Sequence, residues 1–180
     1  KERTRVAVGE LFFETAASED IAASPNGALG AIARDAHDRL LRRKPETEIV
    51  SIHPSKARSE GLSVQVVNDN MPFLFDSVMS ELQKAGADIA LVLHPVLSVT
   101  RDKKGALEGL KAHHKKSPQA RAIRESVIHI EIDAFADPDA KDALEKNLHL
   151  MLKDVRMAVQ DWKSMLLRLE ETILNYKTNP

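Results

Sequence analysis

The 180 residues carry 26 basic and 27 acidic side chains, a formal net charge of −1, so no global field would draw the chain to nucleic acid or to an anionic membrane. Hydrophobic residues make up 43%, charged residues 29% and aromatic residues 4%, the profile of a soluble globular chain that is poorly equipped to stack on bases. Cysteine is absent, which excludes disulfides, thiolate catalysis and Cys-ligated zinc and is compatible with a reducing compartment. No apolar run approaches the roughly 18 to 20 residues of a membrane span, and the basic N-terminus leads into no signal-type core. The expectation is a cytoplasmic protein of one ordinary domain or two small ones, whose ends at Lys1 and Pro180 read as cuts within a longer polypeptide.

From Arg3 to about Ala17 the apolar residues Val8, Leu11 and Phe12 recur at helical spacing, and Ser18-Glu19-Asp20 reads as a turn. Ser24-Pro25 is a good helix opening, followed by the apolar face Leu29, Ile32, Ala33, Ala36 and Leu40 and by the basic Arg42-Arg43-Lys44, which suits a helix C-terminus. The period then changes. Residues 47–53 and 62–68 are short, rich in β-branched side chains and bounded by Pro54 and Gly61, which predicts two strands. In the second, Leu62, Val64 and Val66 face one way and Ser63 and Gln65 the other, so one sheet face should be buried and the other wetter.

Asn68-Asp69-Asn70 and Pro72 end that strand, and Leu74, Phe75, Val78, Leu82 and Ala85 predict a helix that stops at Gly86. Residues 88–100 read as a strand that His94-Pro95 must bend or bulge, or that lies at an edge, because proline removes a ladder donor. A polar hairpin-like turn follows, then an exposed connection over 111–124 and an alternating strand over 125–133, with Ile128, Ile130 and Ile132 inward and His129 and Glu131 outward. Asp137-Pro138 opens a final helical region of nearly forty periodic residues, which predicts either a break near Gln160-Asp161 or an extended arm that packs against something else. The order of elements predicts an α+β fold of the split βαβ kind, a small sheet with helices on one face.

The chemistry is sparse. The glycines of "GALGAIA" (27–33) are three apart and follow a helix cap, so they form no dinucleotide fingerprint, and no phosphate-binding loop occurs. His53, His94 and His129 on strands, with Glu131, are the only grouping that suggests a metal, and they lack tight ligand spacing. Asp69 and Asp76 flank a helix opening, where the dipole lowers a carboxylate pKa and suits a cap better than a general base. The turn at 68–72 either caps the helix through Asp69 or Asn70, or leaves first-turn amides free to hold a carboxylate or phosphate.

"NDNMPFLFDSV", then "LVLHPVLSVTRDKKGAL", then "ESVIHIEID" resemble the N-terminal region of the large bacterial NAD-specific glutamate dehydrogenases, and the flanking helical segments agree. The resemblance implies an ACT-like, ferredoxin-like module over residues 46–158, a helical segment over 1–45, and a C-terminal helix or linker toward the following domain over 159–180. It implies a noncatalytic regulatory or assembly piece without a cofactor of its own, in an enzyme that uses NAD. Its partners would be the rest of that polypeptide, other copies in a homo-oligomer and an amino-acid effector bordered by Asn68, Asp69, Asn70 and Ser77. Pro72, Phe73, Asp76, His94, Pro95 and His129 are the structural signature of that resemblance. Phe73 follows Pro72 where ligand-binding ACT modules carry glycine, so its ring is expected to fill the space a ligand would use. The fourth strand usual after the last helix is missing, so either residues 47–53 supply it or the module is incomplete. The alternatives are a free-standing amino-acid sensor and, more weakly, a metal-dependent enzyme built on His53, His94 and His129.

Overall fold

The computed structural model describes residues 9–14, 19, 21, 27–44, 46–112 and 122–178, with the backbone alone at 112, 163, 177 and 178. The Ser24-Pro25 helix opening, the turn at Ser18 and residues 113–121 of the connection lie outside the described residues. Residues 9–13 are helical. The named elements are α1 (Ala28–Leu40), β1 (Ile49–Pro54), β2 (Gly61–Asp69), α2 (Leu74–Lys84), β3 (Ile89–Leu93), β4 (Val96–Arg101), β5 (Leu107–Ala112), β6 (Ile123–Asp133) and α3 (Pro138–Thr178).

All strand pairings are antiparallel, in the order β1-β2-β6-β4-β5, with β3 also on β6. β6 is the spine. Its 11 residues pair along one edge with β2, and along the other with β3 and then β4. The register runs unbroken from Leu93↔His129 to Val96↔Ser126, so β3 and β4 act as one strand interrupted at His94-Pro95. Proline removes its own donor but keeps its acceptor, and the Val127 N–H donates to the Pro95 carbonyl at 3.0 Å. The register shifts of this strand fall instead at Ile89/Leu91 and Thr100/Arg101.

β2, α2, the β3/β4 strand, β6 and α3 form the expected split βαβ core. β1, which precedes that core in the chain, takes the edge beside β2 and supplies the fourth strand of the ACT-like sheet. β5 extends the opposite side through a hairpin. In its turn the Asp102 carboxylate accepts the amides of Lys104 and Ala106 at 2.8 Å, and Gly105 adopts φ +81. A Cβ on Gly105 would lie 2.3 Å from the Arg43 carbonyl, so the hairpin can seat against the end of α1 only with glycine there.

One face of the sheet is covered as the apolar spacing requires. Leu74, Val78 and Leu82 of α2 and Leu144, Leu148 and Leu152 of α3 pack on Val64, Val66, Ile128, Ile130 and Ile132. Gly86 ends α2 in the left-handed conformation, and Asp137 caps the start of α3 by accepting the Asp139 amide. The other face is not the wetter surface expected from Ser63, Gln65, His129 and Glu131, because all four are buried. Phe12 with Ile32, Ala36 and Leu40 of α1 close over it onto Val67, Leu91, Leu93, Leu97, Val99 and Val127. Strand alternation separates the two faces but says nothing about whether a later layer covers them.

α3 does not break near Gln160. It continues as one helix of 41 residues, about 60 Å long, because it contains no glycine and no proline after its first residue. Its first half packs on the sheet, and its second half, from Trp162 onward, stands off the domain with large apolar side chains exposed.

The turn into α2 also departs from expectation. Phe73 is the residue before the helix, at φ 66, with no side-chain cap, and its ring is 59% exposed rather than filling the corner. A non-glycine residue in this region costs about 1–2 kcal/mol, which glycine avoids at the cost of a more flexible unfolded chain. Phe73→Gly should therefore leave stability unchanged or raise it by up to about 1 kcal/mol in urea unfolding, whereas the β-branched Phe73→Val should lower it. A clear loss in the glycine variant would mean that the ring contributes packing that its exposure does not suggest.

Candidate functional site

The three motifs, far apart in sequence, meet on one transverse row of the sheet. Asn68 and Asp69 at the end of β2 stand opposite Ser126 and Glu125 of β6, which stand opposite Val96 and Leu97 just past His94-Pro95. Because neighbours alternate across the sheet, the row presents one set of side chains to each face.

On the α1 face the centre is Glu125, fully buried. Arg43 donates to its Oε1 from Nε at 3.0 Å and from Nη2 at 2.8 Å, while Arg101 donates from Nε to Oε1 and from Nη2 to Oε2, both at 2.7 Å. Arg43 also reaches Asp69 Oδ1 at 2.5 Å and the Thr47 carbonyl at 2.6 Å, and Arg101 holds the carbonyls of Leu40 and Gly105. Two guanidinium groups and two carboxylates thus balance in charge, with Arg43 buried as well. Burial alone would lower the Arg43 pKa, but Glu125 and Asp69 outweigh it and raise it further. Arg43 looks in sequence like one member of a solvated basic helix end. Its recruitment into the sheet was not legible, because its partners lie 26 and 82 residues away.

On the α2 and α3 face, the Ser126 hydroxyl and His94 Nε2 share a hydrogen bond of 2.5 Å, and the His94 ring stacks on Phe75 with centroids 4.7 Å apart and planes within 7°. Burial pushes the His94 pKa down, and the nearby Asp76 carboxylate only partly offsets this. Asn68 is fully buried. Its Oδ1 accepts Arg156 Nη2 of α3 at 2.7 Å, and its Nδ2 has no partner among the described residues. Arg156 remains partly exposed, 3.8 Å from Glu48. Asn70 continues the ladder by donating its amide to the Arg124 carbonyl, and Ser77 lies in the first turn of α2.

The four residues expected to border an effector therefore divide. Asn68, Asn70 and Ser77 lie toward the α2 end, while Asp69 turns to the other face and pairs with Arg43. Neither Asp69 nor Asn70 caps α2. Arg156 was missed because it belongs to a helix that begins 70 residues after Asn68; only its place on the inward stripe of α3 hinted at it. The histidines do not converge. His94 lies on one face of the sheet and His53 and His129 on the other. His53 Nε2 lies 3.1 Å from Asp35 Oδ2, and no group of three ligands for a metal occurs among the described residues.

His129 belongs to a buried polar chain. Gln65 Nε2 donates to His129 Nδ1 at 3.2 Å, His129 Nε2 donates to Glu131 Oε1 at 2.7 Å, and the Ser63 hydroxyl donates to the same oxygen at 2.7 Å. Burial pushes the Glu131 carboxyl up, but His129, Ser55 and Ser63 together hold it below the ordinary range. Asp35 follows the same pattern: burial opposes ionisation, and Lys56, His53 and Arg39 outweigh it.

Glu125→Gln should cost about 3–5 kcal/mol in urea unfolding, since it leaves two guanidinium groups in the sheet with one counter-charge removed. A loss below about 1 kcal/mol would show that water reaches the cluster. The depressed Glu131 pKa makes its stabilisation complete above the unfolded-chain value of about 4.3, and lost as pH falls through the lower folded value. Glu131→Gln should accordingly flatten the acid limb of stability against pH, and an unchanged limb would assign acid unfolding to other carboxylates.

A family model described as glutamate dehydrogenase, ACT1 domain, matches residues 9–148. The chain is 32% identical over 139 residues to an NAD-specific glutamate dehydrogenase of Pseudomonas aeruginosa strain PAO1, covering 76% of this chain and 8% of that protein. It is 35% identical over 102 residues to an NAD-specific glutamate dehydrogenase of Halomonas elongata, covering 57% of this chain and 6% of that protein. The chain thus spans less than a tenth of the length of these curated relatives. The row of interlocked motifs, the antiparallel split βαβ sheet and these matches agree: the chain belongs to the ACT1 domain family of glutamate dehydrogenases.

Proposed function

We propose that this chain is a noncatalytic regulatory and assembly module of an NAD-dependent glutamate dehydrogenase, a cytoplasmic homo-oligomer that oxidatively deaminates L-glutamate to 2-oxoglutarate and ammonia. The match over residues 9–148, in a chain that spans so little of its relatives, carries this reading. NAD and the reacting glutamate then belong elsewhere on the parent polypeptide, consistent with the lack of a glycine-rich dinucleotide loop in these residues. In this reading residues 46–158 are the ACT-like unit, residues 1–45 an N-terminal helical segment, and residues 159–180 a C-terminal helix or linker toward the following domain.

The regulatory part of the reading places an amino-acid effector beside the start of α2, bordered by Asn68, Asn70 and Ser77. Arg156 and the unpartnered Asn68 Nδ2 both offer donors to its carboxylate, and the uncapped first turn of α2 adds backbone amides. Asp69 acts at one remove, since Arg43 holds it and thereby sets the end of β2. The geometry favours recognition over catalysis, because the His94 imidazole at this corner is occupied by Ser126 and Phe75.

Isothermal calorimetry with glutamate, aspartate and other amino acids tests the effector. Saturable heat should appear with at least one of them, and Arg156→Met should weaken that binding by about 10-fold or more, the loss of one charge-assisted hydrogen bond. Heat that persists unchanged in the variant would move the site elsewhere. Silence with every amino acid would leave this module an assembly role alone.

A further inference from the structure

Two consecutive pairs of residues straddle the sheet side by side. Asn68 and Ser126 face the α2 and α3 side, whereas their neighbours Asp69 and Glu125 face α1. Asn68 Oδ1 carries two donors, Arg156 Nη2 at 2.7 Å and the backbone amide of Asp69 at 2.9 Å. Two donors on one oxygen fix the orientation of the side-chain amide, which leaves Nδ2 buried without a partner among the described residues. The Asp69 whose amide is held in this way presents its carboxylate to Arg43 Nη2 on the opposite face. Beyond Arg43 the connections are backbone ones. Its amide donates to the Gly105 carbonyl at 2.9 Å, and the Leu107 amide donates to the Leu41 carbonyl at 3.0 Å, so the end of α1 and the β4–β5 hairpin are joined.

We propose that the Asn68-Asp69 step couples the corner between α2 and α3 to the α1 cover and the β4–β5 hairpin, so that occupancy of the corner is felt on the other face of the sheet. The proposal rests on the effector reading only for what drives the step. A carboxylate is a stronger acceptor for a guanidinium than the neutral Asn68 Oδ1, so an amino acid at the corner draws Arg156 toward itself. Asn68 then loses one of the two donors that orient it, and its buried Nδ2, already unpartnered, gains by turning toward the ligand. Turning releases the Asp69 amide, and because the peptide unit joining the two residues is planar, Asp69 moves with Asn68. Of the two carboxylates on Arg43, Asp69 is the softer, with its side chain 40% exposed against 0% for Glu125. The cover is thus loosened rather than released, because Glu125 keeps its hold on Arg43 and Arg101. Such coupling is reciprocal, so a change at the cover alters binding at the corner by the same factor.

The chain closes a core on both faces of its sheet, so the coupling can be read in the chain as it stands and without an effector. Arg156→Met keeps an apolar stem on α3 and removes the donor. Native-state amide hydrogen exchange followed by NMR should then show the Arg43 and Leu107 amides, on the far side of the sheet, exchanging about 5-fold faster or more. The Ser55 amide, which donates to the Gly61 carbonyl at the other end of β2, should keep its rate. Asp69→Asn should speed the same two amides. Adding Arg156→Met to it should give less than the product of the two single effects, since both act through one step. Equal acceleration at Ser55 would mean a general loss of stability, and unchanged rates at Arg43 and Leu107, or effects that multiply, would mean independent faces; each of these results overturns the coupling. Amino acids that give no heat in calorimetry would overturn the driver and not the coupling, whereas a failed cycle beside saturable heat would leave an effector site isolated from the cover.

Discussion

Glu125 is the point on which this fold turns. It sits at full burial on the central strand, and its two oxygens are held by Arg43 and Arg101. A carboxylate there is costly to desolvate, and its environment repays that cost only when both guanidinium groups are in place. Through Arg43 it ties the end of α1 and the Thr47 carbonyl to β2, and through Arg101 it ties the β4–β5 hairpin to the Leu40 carbonyl. The helical cover and the sheet extension are therefore not appendages. They are locked to the same ion cluster, and the backbone of Gly105 can approach the Arg43 carbonyl because nothing intervenes.

The two faces of the row divide the work. The α1 face spends its polar groups on one another: Arg43, Arg101, Glu125 and Asp69 in one cluster, and Gln65, His129, Glu131 and Ser63 in the next. Such chains fix register, since shifting a strand by one residue would carry each charge into the opposite hydrophobic layer. The α2 and α3 face is mostly apolar and keeps its few polar groups at one corner, where Arg156 holds Asn68 Oδ1 and the Asn68 Nδ2 has no partner among the described residues. The effector site proposed above lies at that corner, where binding could add hydrogen bonds without breaking a structural cluster.

The architecture also reorders the familiar plan. A strand from the N-terminal side of the core occupies the edge that a strand after the last helix would otherwise take. After packing on the sheet, α3 leads into no strand among the described residues and continues as one helix to Thr178.

Local pattern was enough to find most of the elements. Period-two runs marked β1, β2 and β6, helical spacing marked α2 and α3, Gly86 and Asp137 marked helix ends, and the quoted motifs pointed to the family. β5 escaped because "LEGLKA" is half polar and contains a glycine, and becomes a strand only by pairing with β4. Whether His94-Pro95 would bend the sheet, whether a second layer would cover Ser63 and Gln65, and where Arg43 and Arg156 would reach were decided by tertiary structure. Each depends on groups tens of residues away, and sequence spacing carries no record of such distances. The residues themselves determined which side of each strand or helix is apolar; only the assembled fold determined what lies against that side, because burial is a property of the neighbours and not of the pattern.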